Sequence, residues 1–300
     1  MLIGNGFTID FVKPNGLNSS QPLNCFDNEY ITYDDFIDYL PEVKAKLIAN
    51  QGGDHFRAIK EFREEYQYNN TAECQLRRFL AIAYSKLQIT INELDMNQWK
   101  WFLWFKRNYF DLSFSVSFNY DLLFERVLRE LNVKYYRTGT NEKKSRIPIF
   151  KPHGSIDFDL SRNSIFIGGD LWSITTALND VEYLDIVSSE KWLEPRLEAD
   201  IIPPLATNDH MNFQWYQEGL SIIKKKAKEI SHFVIIGCSY CEVDRLEIDT
   251  ILKSLKKGTK VILCNPHPIE ELVERIQELG LVLEQQTAEY LPWDGVVSPV

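Results

Sequence analysis

The stretch Phe233-Val234-Ile235-Ile236-Gly237-Cys238-Ser239 decides the fold. Four apolar residues, three of them β-branched, run without a polar interruption into a glycine and two small residues. So short a run, bounded by a turn signal, reads as a strand buried on both faces. A helical pattern follows over 244–257, and a second run of the same kind, Lys260-Val261-Ile262-Leu263-Cys264, comes after it. The next helix spans 268–279, with Pro268 at its start and Gly280 just past its end, and 281–283 resumes as a strand. Apolar strands alternating with amphipathic helices mean a parallel sheet covered on both faces, with right-handed crossovers.

Working backward, 112–118 is strand-like, with Phe114, Val116 and Phe118 on one face and serines on the other. It leads into a helix over 119–131 striped by Leu123, Phe124, Val127, Leu128 and Leu131. Residues 148–150 form a further short run, and 1–3 the first strand. Residues 32–110 read as almost wholly helical (33–47, 56–66 and 73–86), with Leu76, Phe79, Leu80, Ala83 and Leu87 at three- and four-residue spacing. The expectation is one α/β domain over 1–300, a Rossmann-like parallel sheet carrying 32–110 as a helical insertion. Within the ambiguous stretch 155–230, 164–167 is expected as a strand and 212–228 as a helix; Trp293 is expected to tack down the tail.

Acidic residues outnumber basic ones, 43 to 33, for a net charge of −10. That balance argues against a general or sequence-specific nucleic-acid binder, which needs clustered cations against phosphate. The lysine-rich stretches 224–228 and 253–260 read as solvated helix faces and ends, with a local basic patch as the alternative. No apolar run approaches the roughly 20 residues that cross a bilayer, and Met1-Leu2-Ile3-Gly4 lacks the basic region and apolar core of a signal peptide. The five cysteines, Cys25, Cys74, Cys238, Cys241 and Cys264, are scattered and odd in number. They suit a reducing cytoplasm. Cys238 and Cys241 form a C-x-x-C without a second pair, so no metal site is expected.

In an open parallel sheet, ligands bind beyond the carboxyl ends of the strands. Five such ends carry small or polar residues here: Gly4-Asn5-Gly6-Phe7-Thr8, Asn119-Tyr120-Asp121, Lys151-Pro152-His153-Gly154-Ser155, Gly237-Cys238-Ser239 and Asn265-Pro266-His267. Gly4-Asn5-Gly6 suits a sharp turn and close approach of backbone N–H groups to a phosphate; a plain strand–loop turn is the alternative. Ile9 stands where a dehydrogenase fingerprint needs its third glycine, which argues against hydride transfer. His153 sits in a loop where an imidazole can exchange a proton with water or a hydroxyl, or serve only as a hydrogen-bonded loop residue. His55, His210 and His232 read as hydrogen-bonded loop residues, and His267 as a cap. Asn119 and Asp121 are candidates for the site or for capping the following helix, and Asn265 for a ribose contact or a cap. In Trp99-Lys100-Trp101-Phe102-Leu103-Trp104-Phe105, five aromatics fall within seven residues, as core between helices or as an oligomer interface.

As an ordered set, these segments resemble the sirtuin-like fold. Gly4-Asn5-Gly6-Phe7-Thr8 is similar to that family's first phosphate loop, with Asn5 in place of the usual alanine. Asn119-Tyr120-Asp121 matches its T-Q-N-x-D motif at Asn and Asp, and Lys151-Pro152-His153-Gly154 is similar to its L-H-G. Gly237-Cys238-Ser239 matches its G-T-S loop, and Asn265 its late ribose-contacting asparagine. No cysteine lies between 155 and 237, where sirtuin deacylases carry a four-cysteine zinc module. The chain therefore resembles the zinc-free sirtuin-like domains of bacterial anti-phage defence. That resemblance implies an NAD hydrolase that depletes NAD during abortive infection, with NAD as substrate and no metal. It implies His153 as base, Asn119 as the residue orienting ribose and water, and Asp121 in support. Gly4, Asn5, Gly6, Phe7, Thr8, Gly237, Ser239 and Asn265 would hold the dinucleotide. A non-catalytic nucleotide-sensing scaffold, and a zinc-free deacylase or ADP-ribosyltransferase, are the alternatives. By the same resemblance, control would come from a homo-oligomer or from a separate partner such as a HerA-type ATPase.

Overall fold

The computed structural model describes residues 1–22, 40–46, 55–66, 69–160, 181–194, 199–203 and 209–286. The strand expected over 164–167 and Trp293 lie outside them, as does most of the helix expected over 33–47.

β1 (Leu2–Ile3) is two residues long, yet it lies inside a seven-stranded sheet of order β3-β4-β2-β1-β7-β8-β9. The others are β2 (Ser115–Ser117), β3 (Tyr135–Arg137), β4 (Ile147–Phe150), β7 (His232–Ile236), β8 (Lys260–Cys264) and β9 (Val282–Gln286). Every neighbouring pair is parallel. A separate antiparallel pair joins β5 (Phe158–Leu160) to β6 (Leu184–Ile186). The architecture is Rossmann-like α/β.

Alternation along the strands builds two cores. Ile3, Val234, Ile236 and Ile262 face one layer, while Leu2, Phe233, Ile235, Val261 and Leu263 face the other. The first layer holds α1 (Asn5–Val12) and α6 (Leu123–Glu130), with α3 (His55–Glu65), α4 (Asn70–Glu93) and α5 (Lys100–Asn108) of the helical block, after α2 (Pro41–Lys46). The second holds α7 (Gln214–Ala227), α8 (Glu242–Leu252) and α9 (Glu270–Glu278). Burial on both faces is why these strands read as unbroken apolar runs. Among the described residues, no helix is long and apolar enough to cross a membrane.

Several boundaries differ from expectation. The helix after β2 begins at Leu123 rather than 119, because Asp121 stays in the loop and its Oδ1 accepts the Leu123 N–H at 3.0 Å. α8 ends at Leu252 because Ser254 and Leu255 bond three residues back, tightening the chain out of the α-helix. Pro268 precedes Ile269, the N-cap of α9, and so lies outside the first turn. β3 has no sequence signal: Tyr-Tyr-Arg at the edge of the sheet carries neither an apolar run nor clean alternation.

The aromatic run is core. Trp101, Phe102, Trp104 and Phe105 are buried, whereas Leu103 is exposed. Phe7, expected in a cofactor loop, needs correction: it is fully buried among Trp99, Trp101, Phe105 and Phe124, with ring centroids 4.8–6.5 Å away. Burying such a ring contributes about 1.5–3 kcal/mol, so Phe7 anchors α1 rather than a ligand.

Candidate functional site

Strand order reverses between β1 and β7, and the chain leaves them toward opposite layers, β1 into α1 and β7 into α8. Such a reversal opens a crevice at the carboxyl edge of a parallel sheet. All five segments singled out above follow strands of this one sheet, at that edge: β1, β2, β4, β7 and β8.

At the reversal itself the backbones touch. Gly6 N–H donates to the Gly237 carbonyl at 3.0 Å, and Gly4 N–H to that of Ile236 at 2.9 Å. Gly237 has φ +59°, and a Cβ there would lie 2.5 Å from the Gly6 Cα. Glycine is needed on both sides because two chains cross without room for a side chain. The amides of Gly4 and Gly6 are therefore engaged within the protein. Asn5 is engaged as well: its Nδ2 donates to Ser20 Oγ at 2.9 Å, and its Oδ1 accepts from Ser19 Oγ at 2.6 Å. Ser239 is exposed. Asn265 Nδ2 donates to the Cys238 carbonyl at 3.0 Å, tying the β8 loop to the β7 loop, while its Oδ1 accepts from His267 N–H at 3.3 Å.

A first polar cluster lies beside α1. Asn119 Nδ2 donates to Thr8 Oγ1 at 3.0 Å, and Thr8 Oγ1 donates to Asp121 Oδ2 at 2.8 Å. Below them, Lys151 Nζ is fully buried, 2.7 Å from the Asp121 carbonyl and 3.1 Å from Glu125 Oε1. Burial raises the Asp121 pKa against the opposing pull of Lys151, the Leu123 N–H and the Thr8 hydroxyl. Asp121 thus spends both oxygens on holding the loop. Asn119 Oδ1 is different: it is buried and, among the described residues, accepts no hydrogen bond. A buried acceptor left open at a strand end suits a hydroxyl from a ligand.

A second cluster surrounds His153 on the α8 side. Its Nε2 lies 2.6 Å from Glu247 Oε2 and 3.8 Å from Asp244 Oδ1, and its ring meets Phe118 edge-on with centroids 4.9 Å apart. Glu247 Oε1 accepts from His210 Nε2 at 3.0 Å and from the Tyr216 hydroxyl at 2.9 Å. Burial favours the neutral ring of His153, but the charge and hydrogen bond of Glu247, with Asp244 behind it, outweigh burial and raise its pKa from 6.5 to about 9. Burial likewise pushes Glu247 upward, and His153 and His210 overcome it, bringing the carboxyl from 4.5 to about 2. The resting pair is imidazolium and carboxylate.

The loop positions are fixed by backbone. Gly154 has φ +76°, and a Cβ there would fall 1.9 Å from the Asp200 carbonyl. Ile202 N–H donates to the His153 carbonyl at 2.9 Å, and the Tyr120 hydroxyl donates to the Ile202 carbonyl at 2.6 Å. Residues 199–203 are thereby stitched to the loop that carries His153.

The structure brings Thr8, Asn119 and Asp121 together and joins Gly4 and Gly6 to Gly237. No described contact links His153 to Asn119 or Asp121; Phe118, packed on His153, and Asn119 are consecutive at the end of β2 and serve different clusters. Glu247 and Tyr216 escaped sequence reasoning; His210 is the hydrogen-bonded loop residue expected, and its partner is Glu247. A signal existed in Asp244 and Glu247, two acids one turn apart on a helix that follows a strand-end loop. Neither the family models nor the curated proteins compared with this chain give a match.

Proposed function

We propose that this chain is a sirtuin-like NAD glycohydrolase, cleaving the nicotinamide–ribose bond with water. The observation that carries the reading is positional: every segment of the resemblance lies at one carboxyl edge of one parallel sheet, around its topological reversal. Asn119, with its open buried Oδ1, is the residue to meet a ribose hydroxyl. The glycine amides fit a pyrophosphate poorly, since Gly4 and Gly6 N–H are already spent. Any phosphate contact therefore falls to other amides at the edge.

In this reaction the C–N bond breaks with its electron pair passing to the nicotinamide nitrogen, and the ribose acquires oxocarbenium character. Water adds at that carbon and gives up a proton. His153 can take it only as a neutral ring. The reading therefore has turnover rising with pH toward about 9, as the imidazolium of the resting pair gives up its proton. Asp121 is a positioning residue that holds the Asn119 loop. Depletion of NAD in anti-phage defence, within a cytoplasmic homo-oligomer or under a HerA-type ATPase partner, belongs to the same reading.

The test is nicotinamide release from NAD by the purified chain. His153→Ala and Asn119→Ala should each lower it by about 100-fold or more. Undiminished release in both variants places the site elsewhere. The internal hydrogen bonds of the Gly4, Gly6 and His153 regions also favour a second reading, a nucleotide-sensing scaffold without turnover. NAD binding by calorimetry with no nicotinamide release, alone or with activating partners, selects that one.

A further inference from the structure

We propose that His153, His210, Glu247 and Asp244 form a binding site for a divalent transition-metal ion of the zinc type, and that the bound ion blocks His153. The binding half stands on geometry alone; the blocking half rests on the hydrolase reading.

The sequence holds no metal motif, yet the fold assembles a donor set. One ligand atom each from His153, His210 and Glu247 lies within 4.8 Å of the others. They arrive from separate elements: the loop after β4, the 3-10 turn Asp209–Asn212, and α8. Asp244 stands one turn before Glu247 on α8, its Oδ1 3.8 Å from His153 Nε2. A tetrahedral ion bound at about 2.0–2.1 Å by nitrogen and oxygen holds its donors about 3.3 Å apart. His153 Nε2 now lies 2.6 Å from Glu247 Oε2 and His210 Nε2 3.0 Å from Oε1, so an ion between them opens these contacts by about 0.3–0.7 Å and draws in the wider separations of the set, which reach up to 4.8 Å.

Chemistry selects the ion. Two imidazoles and two carboxylates suit zinc, whereas magnesium and calcium want shells built from oxygen alone. The charge also balances: a doubly positive ion replaces the proton on His153 and neutralises both carboxylates. The Tyr216 hydroxyl, 2.9 Å from Glu247 Oε1, supplies the outer-shell hydrogen bond that orients a ligating carboxylate. Approach is on the His153 side, where the ring is 13% exposed while Glu247 is fully enclosed.

The experiment titrates the metal-stripped full chain with Zn²⁺ against a chromophoric chelator. One tight equivalent per chain is expected, weakened by at least about 10–100-fold in His210→Ala and Glu247→Gln and unchanged in His267→Ala. Equal binding by all of these, or no stoichiometric binding, overturns the site. Because buried variants can misfold, the wild type is also loaded with Co²⁺. Visible d–d bands without a thiolate charge-transfer band support nitrogen and oxygen ligation; a thiolate band assigns the metal to cysteines and overturns it. Nicotinamide release should fall away at one equivalent of Zn²⁺ and return with chelator. Undiminished release with zinc bound overturns the blocking half. A protein that binds zinc with the expected spectrum but never cleaves NAD keeps the metal site and discards the hydrolase.

Discussion

The Thr8–Asn119–Asp121–Lys151 cluster and the His153–Glu247–His210–Tyr216 cluster share one sheet edge, and Lys151 and His153 are two residues apart, yet the two rest on different physics. In the first, the Lys151–Glu125 pair lies beneath, and Thr8 and Asn119 above it are uncharged, with Asn119 Oδ1 left over. In the second, the ion pair is at the site itself, and Glu247 accepts from three partners. The first is a frame with an open acceptor; the second is a charged pair that must be undone before its histidine could serve as the base of the proposed hydrolase. Buried ions that hold a frame and buried ions proposed to do chemistry should respond differently to substitution.

The sharpest break is Lys151→Met. It strands Glu125, fully buried, without its cation and removes the donor to the Asp121 carbonyl. Removing one partner of a buried pair costs about 3–5 kcal/mol. Urea unfolding should show that loss, and Lys151→Met combined with Glu125→Leu should recover much of it, because two apolar groups replace two ions. Loss without recovery would mean that Lys151 serves the site beyond its charge.

Glu247→Gln probes the other cluster. His153, raised to about 9, contributes stability that is complete below 6.5 and lost as pH climbs through 9. Glu247, lowered to about 2, contributes stability that is complete above 4.5 and lost as pH falls through 2. Both describe one pair, counted once, so its full effect spans pH 4.5–6.5. Within that window the variant should lose about 2–3 kcal/mol in urea, with the deficit shrinking as pH rises from 6.5 and largely gone above 9. The acid limb of nicotinamide release should meanwhile drop from about 9 toward 6.5. An acid limb that stays in place would remove His153 from the titrating step.

The two clusters were not equally legible. Strand ends announce themselves: an apolar run followed by Gly, Asn or Asp is a local pattern, so Gly4, Asn119 and Gly237 could be placed at one edge before any coordinates. Thr8 and Asp121 came with them, being a few residues away. Phe7 came too and was misplaced, because its adjacency to Gly6 said nothing of the tryptophans nearly a hundred residues later that enclose it. Glu247 and His210 belong to the opposite case. A glutamate within an amphipathic helix has the same local text whether it faces water or a buried imidazole. Only the packing of α8 against α7 and the β4 loop decides, and that is a long-range fact.

Against the loop that carries His153 lies an acid that neither cluster holds. Asp200 is fully buried; among the described residues neither carboxylate oxygen accepts a hydrogen bond, and Arg77 Nη1 is 3.7 Å from Oδ1. Burial, helped by Asp159 and opposed by Arg77, raises its pKa from 3.8 to about 6. A carboxyl raised on folding binds more protons in the folded state between those two values, so stability falls as pH rises through the window and stays lowered above it. Asp200→Asn removes that burden. The variant should therefore be more stable than the parent by about 1–3 kcal/mol at pH 7–8, with the gap closing below pH 3.8. Urea titrations across pH measure it directly. A variant less stable at pH 7 would mean that Arg77 and Asp200 repay their burial, which would align this acid with the Lys151–Glu125 frame rather than set it apart from both clusters.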